Sequence, residues 1–202
     1  YSIPVQEELA QALVVKTFAD KVFFTNSGTE SIECSIKMAR KYFHETGKTK
    51  KTDIVTFEGS FHGRSMAAIS ASSANKLTKG FGPLLPGFHH IPFGNLEALQ
   101  SLDFNSICGI LIEPIQGEGG IRPCEKEFLL GLRKICDDND ALLIFDEIQS
   151  GVGRSGDFFA YEYSGVKPDI VAVAKGIGGG FPLGCCLASS KAASGMVVGS
   201  HG

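Results

Sequence analysis

The chain has 202 residues, 43% of them hydrophobic and 20% charged, with 19 Lys+Arg against 22 Asp+Glu and a net charge of −3. That is the composition of an ordinary globular domain. The slight acidic excess gives no reason to expect nucleic acid or an acidic membrane surface as partner, and no apolar run reaches the roughly eighteen residues of a membrane span.

In chain order, residues 6–17 have helical spacing, with Leu9 and Leu13 on one face. Residues 21–25 read as a short strand, broken at Asn26-Ser27-Gly28-Thr29. The spacing Ile32, Ile36, Ala39, Phe43 predicts a strong helix over 30–43. Residues 47–51 read as a basic, solvated turn, 53–57 as a strand and 58–64 as a loop. A helix is expected over 95–102, then a buried strand over 107–112 that ends at Glu113-Pro114. A helix over 126–137, a buried strand over 141–145 ending at Asp146, and a strand over 169–174 ending at Lys175 follow. One more strand is expected over 183–188. Several of these strands are unbroken apolar runs without alternation, which marks strands covered on both faces. The predicted fold class is α/β, with a mostly parallel central sheet and helices on both faces.

The six cysteines, Cys34, Cys108, Cys124, Cys136, Cys185 and Cys186, form no C-x-x-C pair and mostly lie in apolar runs. They read as buried free thiols. Cys185 and Cys186, adjacent on a strand, would point to opposite faces, so no shared metal is expected. No signal peptide is visible at Tyr1.

The chemistry collects where apolar strands end. In an open α/β sheet, ligands bind outside the carboxyl ends of the strands. Lys175 follows such a strand and precedes a glycine run that leaves room for a bulky adduct. Burial there would make its amine nucleophilic, although a lysine snorkelling to the surface fits its position as well. Asp146 is costly to bury without a cationic partner; a helix N-cap or structural ion pair is the alternative. Ser27-Gly28-Thr29 sits between strand and helix, where free N–H groups bind phosphate, or where Ser27 or Thr29 simply caps the helix. Phe61-His62-Gly63-Arg64 offers a stacking ring and a guanidinium that could pair with a carboxylate; a packed loop with a surface ion pair is equally consistent. The run from Gly151 to Gly156 matches G-x-G-x-x-G, but residues 146–150 separate it from its strand, and Asp169 precedes the next strand. It reads as a loop passing the site rather than a dinucleotide fingerprint.

Taken together, Phe23–Glu30, Phe61–Arg64, Glu113–Gly120, Asp146–Arg154 and Ala174-Lys175 with its glycines resemble the class III (ornithine-type) aminotransferases, in the family's order and over nearly the whole chain. The resemblance implies a fold-type I large domain that binds pyridoxal 5'-phosphate. It implies that Lys175 holds the cofactor covalently and shuttles a proton, and that Asp146 pairs with the ring nitrogen. Gln149 would bond the ring hydroxyl, Ile148 and Phe61 would cover the two ring faces, and Gly28 and Thr29 would hold the phosphate. Glu147 lies within the pocket run and is included among the cofactor contacts. Arg64 would meet the distal end of the substrate, and Glu118 resembles the family's gating glutamate. The implied reaction is transamination between an amino donor and 2-oxoglutarate in a cytoplasmic homodimer, or an organellar one in a eukaryote. The closeness of the match favours N2-acetylornithine as donor over ornithine, succinylornithine or 4-aminobutyrate. A cofactor-binding but catalytically incomplete module is the rival reading.

Two departures stand out. Ser31-Ile32 replaces the family's usual Ala-Asn, which puts support of the phosphate loop in question. The chain is also about half the family's length, so it is expected to be the large cofactor domain alone, without the N-terminal segment or the C-terminal small domain. In the family, the motif that here reaches His201-Gly202 continues into a Ser/Thr pair.

Overall fold

The computed structural model describes residues 2–201; Tyr1 and Gly202 lie outside them. Helix α1 (Pro4–Lys16) leads into strand β1 (Lys21–Thr25) and helix α2 (Gly28–Glu45). Next come β2 (Asp53–Phe57), the short helices α3 (Met66–Ser70) and α4 (Asn75–Thr78), β3 (Phe88–Ile91) and α5 (Leu96–Gln100). Strand β4 (Ile107–Ile112) is followed by the small pair β5 (Ile115–Gln116) and β6 (Arg122–Pro123), then by α6 (Lys126–Asp138) and β7 (Leu142–Asp146). A 3₁₀ turn (Ala160–Ser164), β8 (Ile170–Val173), a second 3₁₀ turn (Lys175–Gly178), β9 (Gly184–Ala188) and α7 (Ser190–Ala193) complete the order.

Seven strands form one sheet in the order β1-β9-β8-β7-β4-β2-β3. The β3-β2-β4-β7-β8 run pairs in parallel, and β9 is antiparallel to both its neighbours. The mostly parallel α/β sheet expected from the unbroken apolar strands is therefore present. Each strand sends alternate side chains to opposite layers. On one face Ile54, Leu142, Ile144, Ile170, Ala172 and Cys186 pack with Ile32, Ile36, Ala39 and Phe43 of α2. On the other, Phe57, Leu143, Phe145, Val171 and Cys185 pack with Phe128, Leu129, Leu132 and Cys136 of α6. Cys185 and Cys186 point to opposite layers, and all six cysteines are buried and free. A fully buried Leu, Ile or Phe contributes about 1.5–3 kcal/mol by leaving water. These two layers hold the strand ends in place, and the strand ends carry the polar residues.

Helix α2 starts where Ser27 accepts the Glu30 N–H (3.3 Å) and Glu30 reaches back to the Asn26 N–H (2.6 Å). It ends as Gly47 takes a left-handed φ of 79°. The helix runs two residues beyond the expected 30–43 span at each end, because caps rather than hydrophobic spacing set its bounds.

The basic turn at 47–51 is not wholly solvated. Lys51 is half-buried, and its Nζ donates to the carbonyls of Phe104, Ile107, Asn139 and Asp140 at 2.9–3.1 Å. These carbonyls lie in loops or at element ends, where acceptors need donors, and this ammonium supplies one. Strand β3 was not expected; as an edge strand with His89 and His90 in its middle, it lacks an apolar run. Among the described residues no helix is long and apolar enough to cross a membrane.

Candidate active site

The carboxyl ends of β7 and β8 and the start of α2 converge on a cavity of about 310 Å³, near the lower bound of about 300 Å³ for ligand sites. Its walls include Gly28, Thr29, Phe61, Asp146, Ile148, Gln149 and Lys175, which the sequence places far apart. His62, Glu113 and Phe181-Pro182-Leu183 also line it. A larger space of about 1020 Å³ adjoins it and shares Gln149 and Lys175. Glu118 and the glycine loop Gly151–Ser155 border that second space. The loop has turns and no helix after it, so it passes the site as expected and builds no dinucleotide cradle.

Lys175 stands at the junction of the two spaces. The burial expected for it is absent, and its side chain is exposed. Strand β8 ends two residues earlier, and Lys175 itself turns with a φ of 48°, which takes it out of the strand line and into the cavity. Across the same space Val152 has a φ of 58°. A β-branched residue in that region is unusual, and such positions cost about 1–3 kcal/mol and cluster at functional sites.

Asp146 ends β7 on the α2 side of the sheet. It is 4% exposed. One carboxylate oxygen accepts the Ile148 N–H (3.0 Å), and the other meets His62 Nδ1 (2.8 Å). His62 is fully enclosed, which opposes its charging. The hydrogen bond and charge of Asp146, with Glu113 adding, nevertheless raise its pKa above the ordinary range. His62 Nε2 is buried and has no partner among the described residues.

The start of α2 lies opposite. The first N–H groups of a helix have no intrahelical acceptor, and those of Gly28 and Thr29 border the cavity with the positive end of the helix dipole. A Cβ on Gly28 would come within 2.9 Å of Ile148, so glycine is what lets these walls approach. The Ser31 departure also has a structural account. Its hydroxyl lies 2.7 Å from Thr25 Oγ1 and 3.1 Å from the carbonyl oxygens of Ser27 and Val173. It ties the helix start to β1 and to the end of β8.

Three candidates stand apart from the cavity wall. Arg64 is exposed, with its guanidinium carbon 5.6 Å from the Phe61 ring centre. Glu118 lies in the larger space. Glu147 faces away, fully buried; its carboxylate accepts Ser150 Oγ–H (2.5 Å) and the Tyr161 N–H (2.9 Å), and burial pushes its pKa up to about 7. The one-residue step from 146 to 147 turns a side chain to the opposite side of the sheet edge. The sequence reading assigned no role to His62 or Glu113, although Glu113 shows the same signal as Asp146: an acid closing an apolar strand.

A family model described as Aminotransferase class-III matches residues 2–202. The acetylornithine aminotransferase of Rhodobacter capsulatus is 59% identical over all 202 residues, which cover 51% of that protein. The succinylornithine transaminase of Citrobacter koseri is 48% identical over 96% of this chain and 48% of its own length. A solved amine transaminase from an uncultivated Pseudomonas species, in its PLP-bound form, superposes with a TM-score of 0.90 at 28% identity, over 96% of this chain and 50% of that one. The chain spans about half the length of the curated relatives it matches.

Proposed function

Because the chain belongs to the class III aminotransferases, we propose that it is the cofactor-binding large domain of a pyridoxal-phosphate-dependent enzyme that transaminates N2-acetylornithine with 2-oxoglutarate. The observation that carries this reading is the convergence of Lys175, Asp146 and the α2 N-terminus on one cavity. An amine, a buried carboxylate and a helix dipole match an aldehyde, a basic ring nitrogen and a phosphate. The residues present therefore fit the group.

When bound, pyridoxal phosphate supplies an electron sink for negative charge developing on the substrate carbon. The protein's residues do the rest. Lys175 would hold the group through Nζ and move the proton at the substrate carbon that bears the amino group. Asp146, kept in place by His62 and the Ile148 N–H, would keep the ring nitrogen protonated. The Gly28 and Thr29 N–H groups would take the phosphate, Ile148 and Phe61 would bound the ring, and Gln149 would meet its hydroxyl. Glu118, at the larger space, and Arg64, beside the Phe61 ring, would meet the distal ends of the substrates. Acetylornithine ranks ahead of succinylornithine because the 59% relative bears the first name and the 48% relative the second. We place the active form in a homodimer with the remaining half of the polypeptide present.

A second reading, a module that binds cofactor without turning over, is supported by the chain's spanning only about half the length of its relatives. The test is to load the chain with pyridoxal phosphate, reduce with borohydride and map pyridoxyl mass by peptide. Modification confined to Lys175 is expected, and none on Lys175 in this chain or a full-length version sinks the reading. In a separate, unreduced sample loaded with cofactor, acetylornithine should bleach the cofactor absorbance faster than ornithine, succinylornithine or 4-aminobutyrate. Binding without bleaching leaves the passive module.

A further inference from the structure

Glu113 has no part in the roles given so far. It follows β4, the sheet neighbour of β7, and is 5% exposed against the same cavity. Its Oε2 accepts the Phe61 N–H at 3.1 Å. One side chain thus joins two loops. The first carries Phe61 and His62. The second is the segment after β4 to which Glu113 itself belongs; it runs on to Gly117, where an added Cβ would come within 1.4 Å of Gln149 Oε1, and into Glu118. The charged groups facing Glu113 are His62 and Asp146, and the Cys124 thiol donates to the Glu113 carbonyl (3.6 Å). His62 in turn faces Asp146, Glu113 and His90. Burial pushes the Glu113 carboxyl up to about 7, so near neutrality it is divided between a neutral and a charged clamp.

We propose that Glu113 is a positioning residue whose carboxyl pins the Phe61 loop to the segment that leads from β4 to Gly117 and whose charge adds to that of Asp146 in favouring a protonated His62. The consequence for turnover rests on the aminotransferase reading; the clamp itself does not. Glu113→Gln keeps an oxygen acceptor for Phe61 and loses the charge, whereas Glu113→Ala loses both. In the full chain without cofactor, the Phe61 amide should exchange with solvent about tenfold faster in Glu113→Ala than in wild type, the loss of about 1.4 kcal/mol of hydrogen bonding. Glu113→Gln should stay near wild type. The ¹⁵N-labelled His62 imidazole should titrate lower in Glu113→Gln, because a nearby negative charge is gone. Unchanged amide exchange in Glu113→Ala overturns the clamp, and an unmoved His62 midpoint in Glu113→Gln overturns the charge role. If the alanine variant does not fold, amide exchange in wild type decides: a Phe61 amide as fast as those of exposed loops overturns the clamp. Neither readout involves pyridoxal phosphate, so failure here is separable from failure to trap Lys175.

Discussion

Asp146 and Glu147 are adjacent acids at the end of one strand, and they belong to different regions of the molecule. Asp146 lies on the α2 side, paired with an imidazole and facing a cavity. Glu147 lies on the other side, sealed in the core and satisfied by a hydroxyl and a backbone N–H. The first region spends polar groups on a space for a ligand; the second spends them on fastening a turn. Identical chemistry in sequence thus separates by the alternation of a strand, and loss of residues on the two sides should be felt in different measurements.

The largest effect should come from the cavity side. Lys175→Ala is expected to lower kcat of the full-length enzyme by about 10²–10⁴-fold, the range for a lost proton-transfer group, while leaving Tm nearly unchanged. Its side chain is exposed and packs in no core cluster. Turnover within threefold of wild type would remove the lysine from the mechanism.

Glu147→Ala should do the reverse. It strips acceptors from Ser150 and from the buried Tyr161 N–H, at about 1–3 kcal/mol for each group left unsatisfied. Urea denaturation should show a loss of about 2–4 kcal/mol, with cofactor still binding to the folded fraction. The pH dependence has a definite sign. A carboxyl raised to about 7 when folded, against roughly 4.3 unfolded, binds more protons in the native state. Stability from this group is fully present below about pH 4.3 and falls as pH rises towards 7. Glu147→Gln should flatten that fall. A slope identical to wild type would mean Glu147 titrates alike folded and unfolded.

The difference between the regions also explains what the sequence made legible. The parallel sheet, α2 and α6 were readable because unbroken apolar strands and a four-three-four helical stripe state their own burial. Lys175, Asp146 and Gly28-Thr29 were readable because a polar residue closing an apolar strand marks the sheet's carboxyl edge. Glu147 and Lys51 were misplaced because their partners, Tyr161 and the carbonyls of residues 104–140, are distant in the chain. Nothing local announces such a bond. Strand β3 escaped for a related reason: it pairs on one edge only, and half-covered strands need no apolar run.

Gly184 tests how closely the cavity side is fitted. A Cβ there would lie 2.6 Å from Thr25 Oγ1, 2.7 Å from Ser31 Oγ and 2.8 Å from the Ser27 carbonyl oxygen. One of these is backbone at the cap of α2, so Gly184→Ala must displace the helix start. Overpacking of this kind costs about 1–3 kcal/mol. It should appear mainly as weaker cofactor binding, seen by titrating absorbance. An unchanged Kd with lowered Tm would mean that the α2 start does not form the phosphate site.

Ser31→Ala should have the smallest effect and the most informative coupling. The hydroxyl contacts Thr25 Oγ1, the Ser27 carbonyl and the Val173 carbonyl, but Thr25 keeps its own bond to the Ser27 carbonyl at 3.1 Å. No donor is left stranded, so the loss should be about 0.5–1.5 kcal/mol. Removing Ser31 Oγ also removes one of the three atoms that crowd position 184. The double variant Ser31→Ala/Gly184→Ala should therefore cost less than the two single losses added, by more than about 0.5 kcal/mol. Strict additivity in cofactor affinity would mean that the Ser27 carbonyl alone sets the fit at 184 and that the Ser31 hydroxyl has no part in placing the helix start.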